Sequence, residues 1–411
     1  MRGDTIDNLA LMKQLSRRTP SKIVLLVVDG IGGLPHPETG KTELETAATP
    51  NLDRLAAGGV CGLADPVAPG ITPGSAPGHA ALFGYDPLAI EIGRGVLEAV
   101  GIDFDLRPGD VAARGNFCTV DGAGLVTDRR AGRISTDKSS ELCRRLDGFE
   151  TGDVTVLVLP VREHRFVAVF RGDGLAPDVT GTDPQEIGVA PLPVEALSPV
   201  TDRTAAAKTA SAANAFIGYA RDALAGDEPA NMVLLRGFST RPVFDRIPDV
   251  YKLAAAAVTV YPMYRGLARL AGMDALEAGT TIADEIEALR RHWDGYDFFF
   301  VHVKGADSAG EDGDFERKVA VIEEVDRAVP ALLELRPDVL VVTGDHSTPA
   351  KLRGHSWHPV PLLLAAETCR RDGVTAFAET DCISGGLGRF PAVRIMALAM
   401  AHAEKLAKFG A

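Results

Sequence analysis

Four short, almost unbroken apolar runs constrain this chain most: IVLLVV (23–28), NMVLLR (231–236), DFFFVHV (297–303) and DVLVVT (338–343). Runs of this length and continuity fit strands of a parallel sheet covered on both faces. Helical patterns separate them. A short one spans Asp53 to Gly58 and another Ala283 to His292. Between Asp314 and Leu335, Val319, Ile322, Val325, Val329 and Leu332 recur at spacings of three and four, which predicts one apolar helix face. AAAAVTVYPMYRGLARLAG (254–272) reads as a further core strand followed by a helix. Strands alternating with helices predict a doubly wound α/β sheet.

The middle reads differently. Between 109 and 228 come shorter alternating strands, such as FVAVF (166–170), many turn residues, and an Ala-rich helix from Ala205 to Ala225. This predicts a smaller α+β domain, 109–228, inserted into a core made of 1–108 and 229–411. A chain of 411 residues has length for two domains, and 46% apolar residues supply both with cores.

Charge and composition narrow the partners. A net charge of −13 repels a phosphate backbone, so nucleic acid is not an expected partner. The apolar runs are too short to span a bilayer, and the first residues carry acidic groups without the apolar stretch of a secretory leader. The five cysteines are scattered, with no CxxC pair, and read as free thiols of a reducing cytoplasm. The oligomeric state stays open, a homo-oligomer included.

In open α/β sheets, ligands bind beyond the carboxyl ends of the strands. There the sequence places Asp29-Gly30, Gly305-Ala306-Asp307 and Gly344-Asp345-His346-Ser347, with His355 nine residues past His346. Each has a plain structural explanation when taken alone: a turn at Asp29, a helix cap at Asp307, a surface turn at Asp345-His346, a packed ring at His355. Taken together they are a ligand inventory. Mixed carboxylate and imidazole donors suit hard or borderline divalent ions, and the supply is enough for two ions about 3.5–4 Å apart.

Residues 69–85, PGITPGSAPGHAALFGY, hold one serine at the start of an expected helix. The residues alone leave two readings of Ser75 open. It caps a helix running from Pro77 to Phe83, or it is a nucleophile beside helix N–H groups that favour a phosphoryl anion. His79, one turn along, is left without a role.

The segments IVLLVVDGIGG, ATPNLDRLA, PGSAPGHAALFGYDP, GRGVLEAVG, TDRRAGR, HVKGADSAGEDGDF and GDHSTP together resemble the archaeal type of 2,3-bisphosphoglycerate-independent phosphoglycerate mutase, in the alkaline phosphatase superfamily. The resemblance runs in order over nearly the whole chain after residue 22. It implies a phosphatase-like α/β core with an inserted substrate-binding cap. It also implies two divalent metal ions, manganese first, with magnesium, zinc or cobalt as alternatives. Asp29, Ser75, Asp345 and His346 are then expected to hold one ion; Asp307, His355 and position 311 the other. Ser75 becomes the phosphorylated nucleophile, and Lys304 steadies the phosphoryl group. The family usually has histidine at position 311, where this chain has Glu311. A carboxylate there still offers oxygen to a hard ion. For the anionic substrate, Arg129, Arg130 and Arg133 of the matching segment are the leading contacts, with His164, Arg165 and Arg236 behind them. The implied reaction interconverts 3- and 2-phosphoglycerate. The alternative is a metal-dependent phosphohydrolase, or a phosphomutase or phosphotransferase for another small phosphorylated metabolite.

Overall fold

The computed structural model describes residues 8–90, 92–200, 202–242 and 245–410. The described residues form two compact units. One contains residues up to 90 together with 245–261 and 268–410, and the other 92–242 with 262–267.

The first unit is built on an eight-stranded sheet. Its order is Asp274–Leu276, Ala255–Thr259, Phe298–Val303, Ile23–Val28, Val339–Thr343, Val360–Ala366, Val60–Asp65 and Gly388–Pro391. The first five strands are parallel, as expected for Phe298–Val303, Ile23–Val28 and Val339–Thr343 from their unbroken apolar runs; the short edge strand Asp274–Leu276 was not foreseen. Val360–Ala366 runs antiparallel to both neighbours, so the sheet is mixed rather than purely parallel. That strand is reached from Val339–Thr343 through the loop carrying His346 and His355, with no helix between, and so comes back in the opposite direction.

Register decides what each face carries. Val24, Leu26 and Val28 lie level with Phe299, Val301 and Val303, and pack with Ile322, Val325, Val329 and Leu332 of the Phe315–Leu333 helix. The 3.6-residue period of that helix thus meets the two-residue period of the strands. On the other face, Leu25 is level with Phe300 and Val27 with His302. Phe300 packs edge-on to His79 and Phe83, in and just after the Ser75–Leu82 helix. The sheet is therefore covered on both sides, and one cover carries Ser75.

The second unit contains an antiparallel sheet: Val126–Asp128, Val111–Val120, Arg165–Arg171, Val154–Arg162 and Phe149–Thr151, with Met232–Ser239 also on Val111–Val120. Helices Thr136–Leu146 and Arg203–Leu224 share its core, through Leu142, Cys143 and Leu146 and through Ala206, Ala213 and Phe216. The run at 231–236 is a strand here, antiparallel, and not a strand of the α/β sheet as expected. Val233 and Leu235 face the helices while Met232 and Leu234 pack with Cys118 and Val126. Burial on both faces makes an apolar run in either kind of sheet. Among the described residues no helix is long and apolar enough to cross a membrane.

Candidate active site

The carboxyl ends of three adjacent parallel strands of the first unit bring the candidate ligands together. Asp29 follows Ile23–Val28, and Gly30 turns the chain at φ 70°, a left-handed conformation natural to glycine. A Cβ on Gly30 would also approach the Asp307 backbone to 2.9 Å. Asp307 sits in the first turn of helix Gly305–Asp312, straight after Phe298–Val303. Asp345 and His346 follow Val339–Thr343. Ligand atoms of Asp29, Asp345 and His346 lie within 4.8 Å of one another, and so do those of Asp307, His346 and His355.

Asp29, Asp307, Asp345 and His346 are all buried. His346 Nε2 lies 3.0 Å from Asp345 Oδ2 and 3.4 Å from Asp29 Oδ1. Asp345 Oδ2 is also 3.2 Å from His79 Nδ1, but neither ring nitrogen is aligned with it for hydrogen bonding. Lys304 Nζ reaches Asp29 Oδ2 at 3.1 Å and also pairs with Asp307. Burial and the neighbouring Asp345 both act to raise the Asp29 pKa, yet Lys304, His302 and His346 outweigh them and hold it at about 2. Burial likewise opposes ionisation of Asp345, and His346 and His79 overcome it, taking the carboxyl well below its usual range. Burial alone would lower the His346 pKa, but Asp345, Asp29 and Asp307 raise it to about 9. The cluster gathers carboxylates where positive charge must stand beside them. An ammonium already reaches between two of them, and one buried carboxylate oxygen lacks an aligned donor. A set of oxygen and imidazole donors in this state fits divalent cations.

Ser75 opens its helix at the first helical position, with Gly74 as the cap residue and no side-chain cap bond. The capping reading of Ser75 is therefore overturned, and the helix starts two residues before the expected Pro77. The hydroxyl instead lies 3.3 Å from His346 Nε2. Gly78 explains how the helix comes so near, since a Cβ there would stand 2.3 Å from the Asp345 carbonyl oxygen. His355 Nδ1 is 2.9 Å from the Pro73 carbonyl, which accepts its proton and leaves Nε2 facing Asp307 Oδ1 at 3.5 Å. Its ring stacks on His346 with centroids 3.6 Å apart. Glu311 stands at the rim. Its side chain is 56% exposed, its Oε1 is 4.0 Å from His355 Nε2, and it belongs to neither ligand group.

The second unit has a cationic cluster of its own. Arg114, Arg165, Arg236 and Arg94 act on one another's charge, with Glu98 and Asp183 as the acidic neighbours. Burial is the main reason the Arg114 pKa falls to about 10, and the other arginines add to it against Glu98. His164 is buried, and burial with Arg165, Arg114, Arg130 and Arg133 lowers it to about 4, which keeps it neutral near pH 7. Arg130 and Arg133 are exposed. Arg129 is committed, with Nε and Nη2 on the two oxygens of Asp183 at 2.8 and 2.7 Å.

Residues 56–231 match the family model for 2,3-bisphosphoglycerate-independent phosphoglycerate mutase. A Thermus thermophilus protein named a probable 2,3-bisphosphoglycerate-independent phosphoglycerate mutase is 48% identical over 99% of this chain and 100% of its own. The chain belongs to this mutase family. Among solved structures, a cofactor-independent phosphoglycerate mutase from Thermoplasma acidophilum is 30% identical, with TM-score 0.69 over 93% of this chain and all of that one. A Pyrococcus horikoshii protein superposes with TM-score 0.82 at 28% identity, over 96% of this chain and 100% of its own.

In this member of the family, the structure gathers Asp29, Ser75, Lys304, Asp307, Asp345, His346 and His355 in one unit. Residues that sequence reasoning passed over stand beside them. His302, read as one more position of an apolar strand, has Nε2 3.0 Å from Asp29 Oδ2. His79, left without a role, has Nδ1 2.8 Å from the Ser75 carbonyl as well as near Asp345. Thr348 lies two residues past His346 and touches it. In the second unit, Arg114 and Arg94 join the expected arginines. No periodic signal marks these residues; strand register brings His302 and Arg114 into place, and the packing of helices and loops brings His79, Arg94 and Thr348.

Proposed function

We propose that this chain interconverts 3- and 2-phosphoglycerate without a bisphosphoglycerate cofactor, through a phosphoserine at Ser75, as an isomerase of glycolysis and gluconeogenesis in the cytoplasm. The carrying observation is the Ser75 hydroxyl, spared from capping and 3.3 Å from His346 Nε2 beside three buried carboxylates. Membership of the mutase family supports the substrate. The ordered series of segments that resembles the archaeal type supports placing it there.

Two divalent ions, with manganese favoured, would be held by Asp29, Asp345, His346 and Ser75, and by Asp307, His355 and Glu311. When bound, they supply Lewis-acid polarisation and lower the pKa of the serine hydroxyl. The chain's own residues do the rest. Ser75 Oγ loses its proton and attacks phosphorus in line; the bond between phosphorus and the departing glycerate oxygen breaks, and that oxygen takes up a proton to become a hydroxyl. The first N–H groups of helix Ser75–Leu82 stabilise the phosphoryl oxygens. Lys304 adds its charge beside them. The glycerate turns and its other hydroxyl takes the phosphoryl group back, freeing the serine. The second unit is assigned the role of cap; it extends past the expected 109–228 on both sides, so that Arg94 and Arg236 belong to it. Arg130, Arg133, Arg165 and Arg236, with Arg114 and Arg94 added, provide its anion contacts; Arg129 braces the site through Asp183, and neutral His164 donates or accepts a hydrogen bond. Retaining glycerate and excluding water separates a mutase from a phosphatase.

An enolase-coupled assay with 3-phosphoglycerate and Mn2+ tests this. Wild type is expected to form 2-phosphoglycerate, and Ser75→Ala to fall to background while still folding. Release of inorganic phosphate without 2-phosphoglycerate would show a phosphohydrolase instead. Retained activity in Ser75→Ala would remove that serine as nucleophile.

A further inference from the structure

Thr348 lies between the two ligand groups and touches both. Its hydroxyl is 2.6 Å from Asp307 Oδ1 and 2.9 Å from His346 Nδ1, and the residue is fully buried. We propose that Thr348 is a positioning residue that fixes the tautomer of His346 and locks the two metal groups together through one hydroxyl. The proposal rests on the metal reading given above.

A threonine hydroxyl has one hydrogen to give and lone pairs to accept with, whereas a carboxylate only accepts. The short contact to Asp307 takes the hydroxyl's hydrogen. What remains for His346 is a lone pair, so Nδ1 must carry a proton and donate it. Nε2 is then the nitrogen that gives up its proton and offers a lone pair when a metal binds. It points at Asp345 Oδ2, Asp29 Oδ1 and the Ser75 hydroxyl. His346 is close enough to serve either group by distance. With Nδ1 committed to Thr348, it can serve the Asp29 and Asp345 group alone.

The backbone around Thr348 suits such a part. Its N–H lies 3.1 Å from the Gly32 carbonyl, and its own carbonyl accepts from the buried Lys318 Nζ at 2.9 Å. Lys318 also donates to Gly32 O at 2.9 Å, and stands 3.7 Å from the buried carboxylate of Glu43. Thus the Gly30–Gly33 loop, the Thr348 loop and the Phe315–Leu333 helix are tied at one point. Hydrogen bonds that hold metal ligands from behind usually matter for affinity about 10–100-fold.

The test is Mn2+ titration of the full chain, followed by electron paramagnetic resonance of the free ion. Wild type is compared with Thr348→Val, which keeps the shape and loses the hydroxyl, and with Thr348→Ser, which keeps the hydroxyl. T348V is expected to weaken both Mn2+ binding steps by about 10–100-fold, and T348S to stay close to wild type. Wild-type affinity in T348V, or equal weakening in T348S, overturns the proposal. Absence of Mn2+ binding by wild type overturns the metal reading itself, and the proposal with it. A second measurement needs no Thr348 variant: 15N-histidine NMR of the Mg2+-loaded wild type, with His346 assigned by its loss in His346→Gln. Protonated Nδ1 and unprotonated Nε2 are expected; the opposite tautomer overturns the proposal even if T348V fails to fold.

Discussion

Glu311 occupies the position where the resemblance leads one to expect an imidazole, and its chemistry sets the character of the second group. Asp307 and His355 face each other at 3.5 Å, and Glu311 is the next donor, 4.0 Å from His355 and exposed at the rim. A carboxylate reaching in from solvent has to give up rotamer freedom before it ligates, so it should add modest affinity. It should also shift preference from zinc toward the oxygen-loving manganese and magnesium. Glu311→Ala is expected to weaken one Mn2+ step by about 10-fold and leave the other unchanged. Glu311→His is expected to move preference toward zinc. Calorimetric titration of the two ions reads both effects. Unchanged affinity and stoichiometry in Glu311→Ala would show that Glu311 is not a ligand.

At the scale of elements, helices were easier to find in the sequence than the contacts that fix their ends. The helix Pro50–Gly58 has Thr49 as cap residue, but that side chain makes no cap bond. Its free N–H groups go to another helix instead: Asp326 Oδ1 accepts from Asn51 N at 2.9 Å and Leu52 N at 2.8 Å, and Oδ2 accepts from Asn51 Nδ2 at 2.9 Å. Asp326 is 1% exposed. Asp326→Ala strands buried donors and should cost about 1–3 kcal/mol, read as a lower urea midpoint at unchanged slope; Asp326→Asn should recover part of it. A loss within a few tenths of a kcal/mol would show that water replaces the carboxylate.

The same distinction explains how much of the site was legible. The ends of Ile23–Val28, Phe298–Val303 and Val339–Thr343 announced Asp29, Asp307 and Asp345-His346, because an apolar run broken by ionisable groups is a local pattern. His302 was hidden inside such a run, since only the level pairing of Val27 with His302 shows which face it takes. Thr348 and Arg114 were invisible for a related reason: Asp307 reaches Thr348 from a helix 41 residues away, and the neighbours of Arg114, Glu98, Arg165 and Arg236, come from other elements. The run at 231–236 went to the wrong sheet because burial on both faces erases the alternation that separates sheet types.

For the molecule as a whole, one buried carboxyl makes stability depend on pH in an uncommon sense. Glu285 lies in the first turn of helix Ile282–His292, where the helix dipole favours an anion. It is nonetheless 4% exposed, and burial, reinforced by Asp284, pushes its pKa from 4.5 to about 8. The unfolded chain releases this proton near pH 4.5, while the folded chain holds it to about pH 8. Between those values the folded state binds more protons, so its stability falls as pH rises, with the loss complete above the folded pKa. The shift corresponds to a few kcal/mol, about 3–5 on the usual conversion. Glu285→Gln keeps the shape and removes the titration. It is expected to flatten the fall in unfolding free energy between pH 5 and 8 and to exceed wild type by about that amount at pH 8.5. Urea titrations of both proteins across this range read it as a difference, so other titrating groups, which the two proteins share, drop out. Parallel pH profiles would mean that Glu285 is already ionised in the folded protein, paired or hydrated in place.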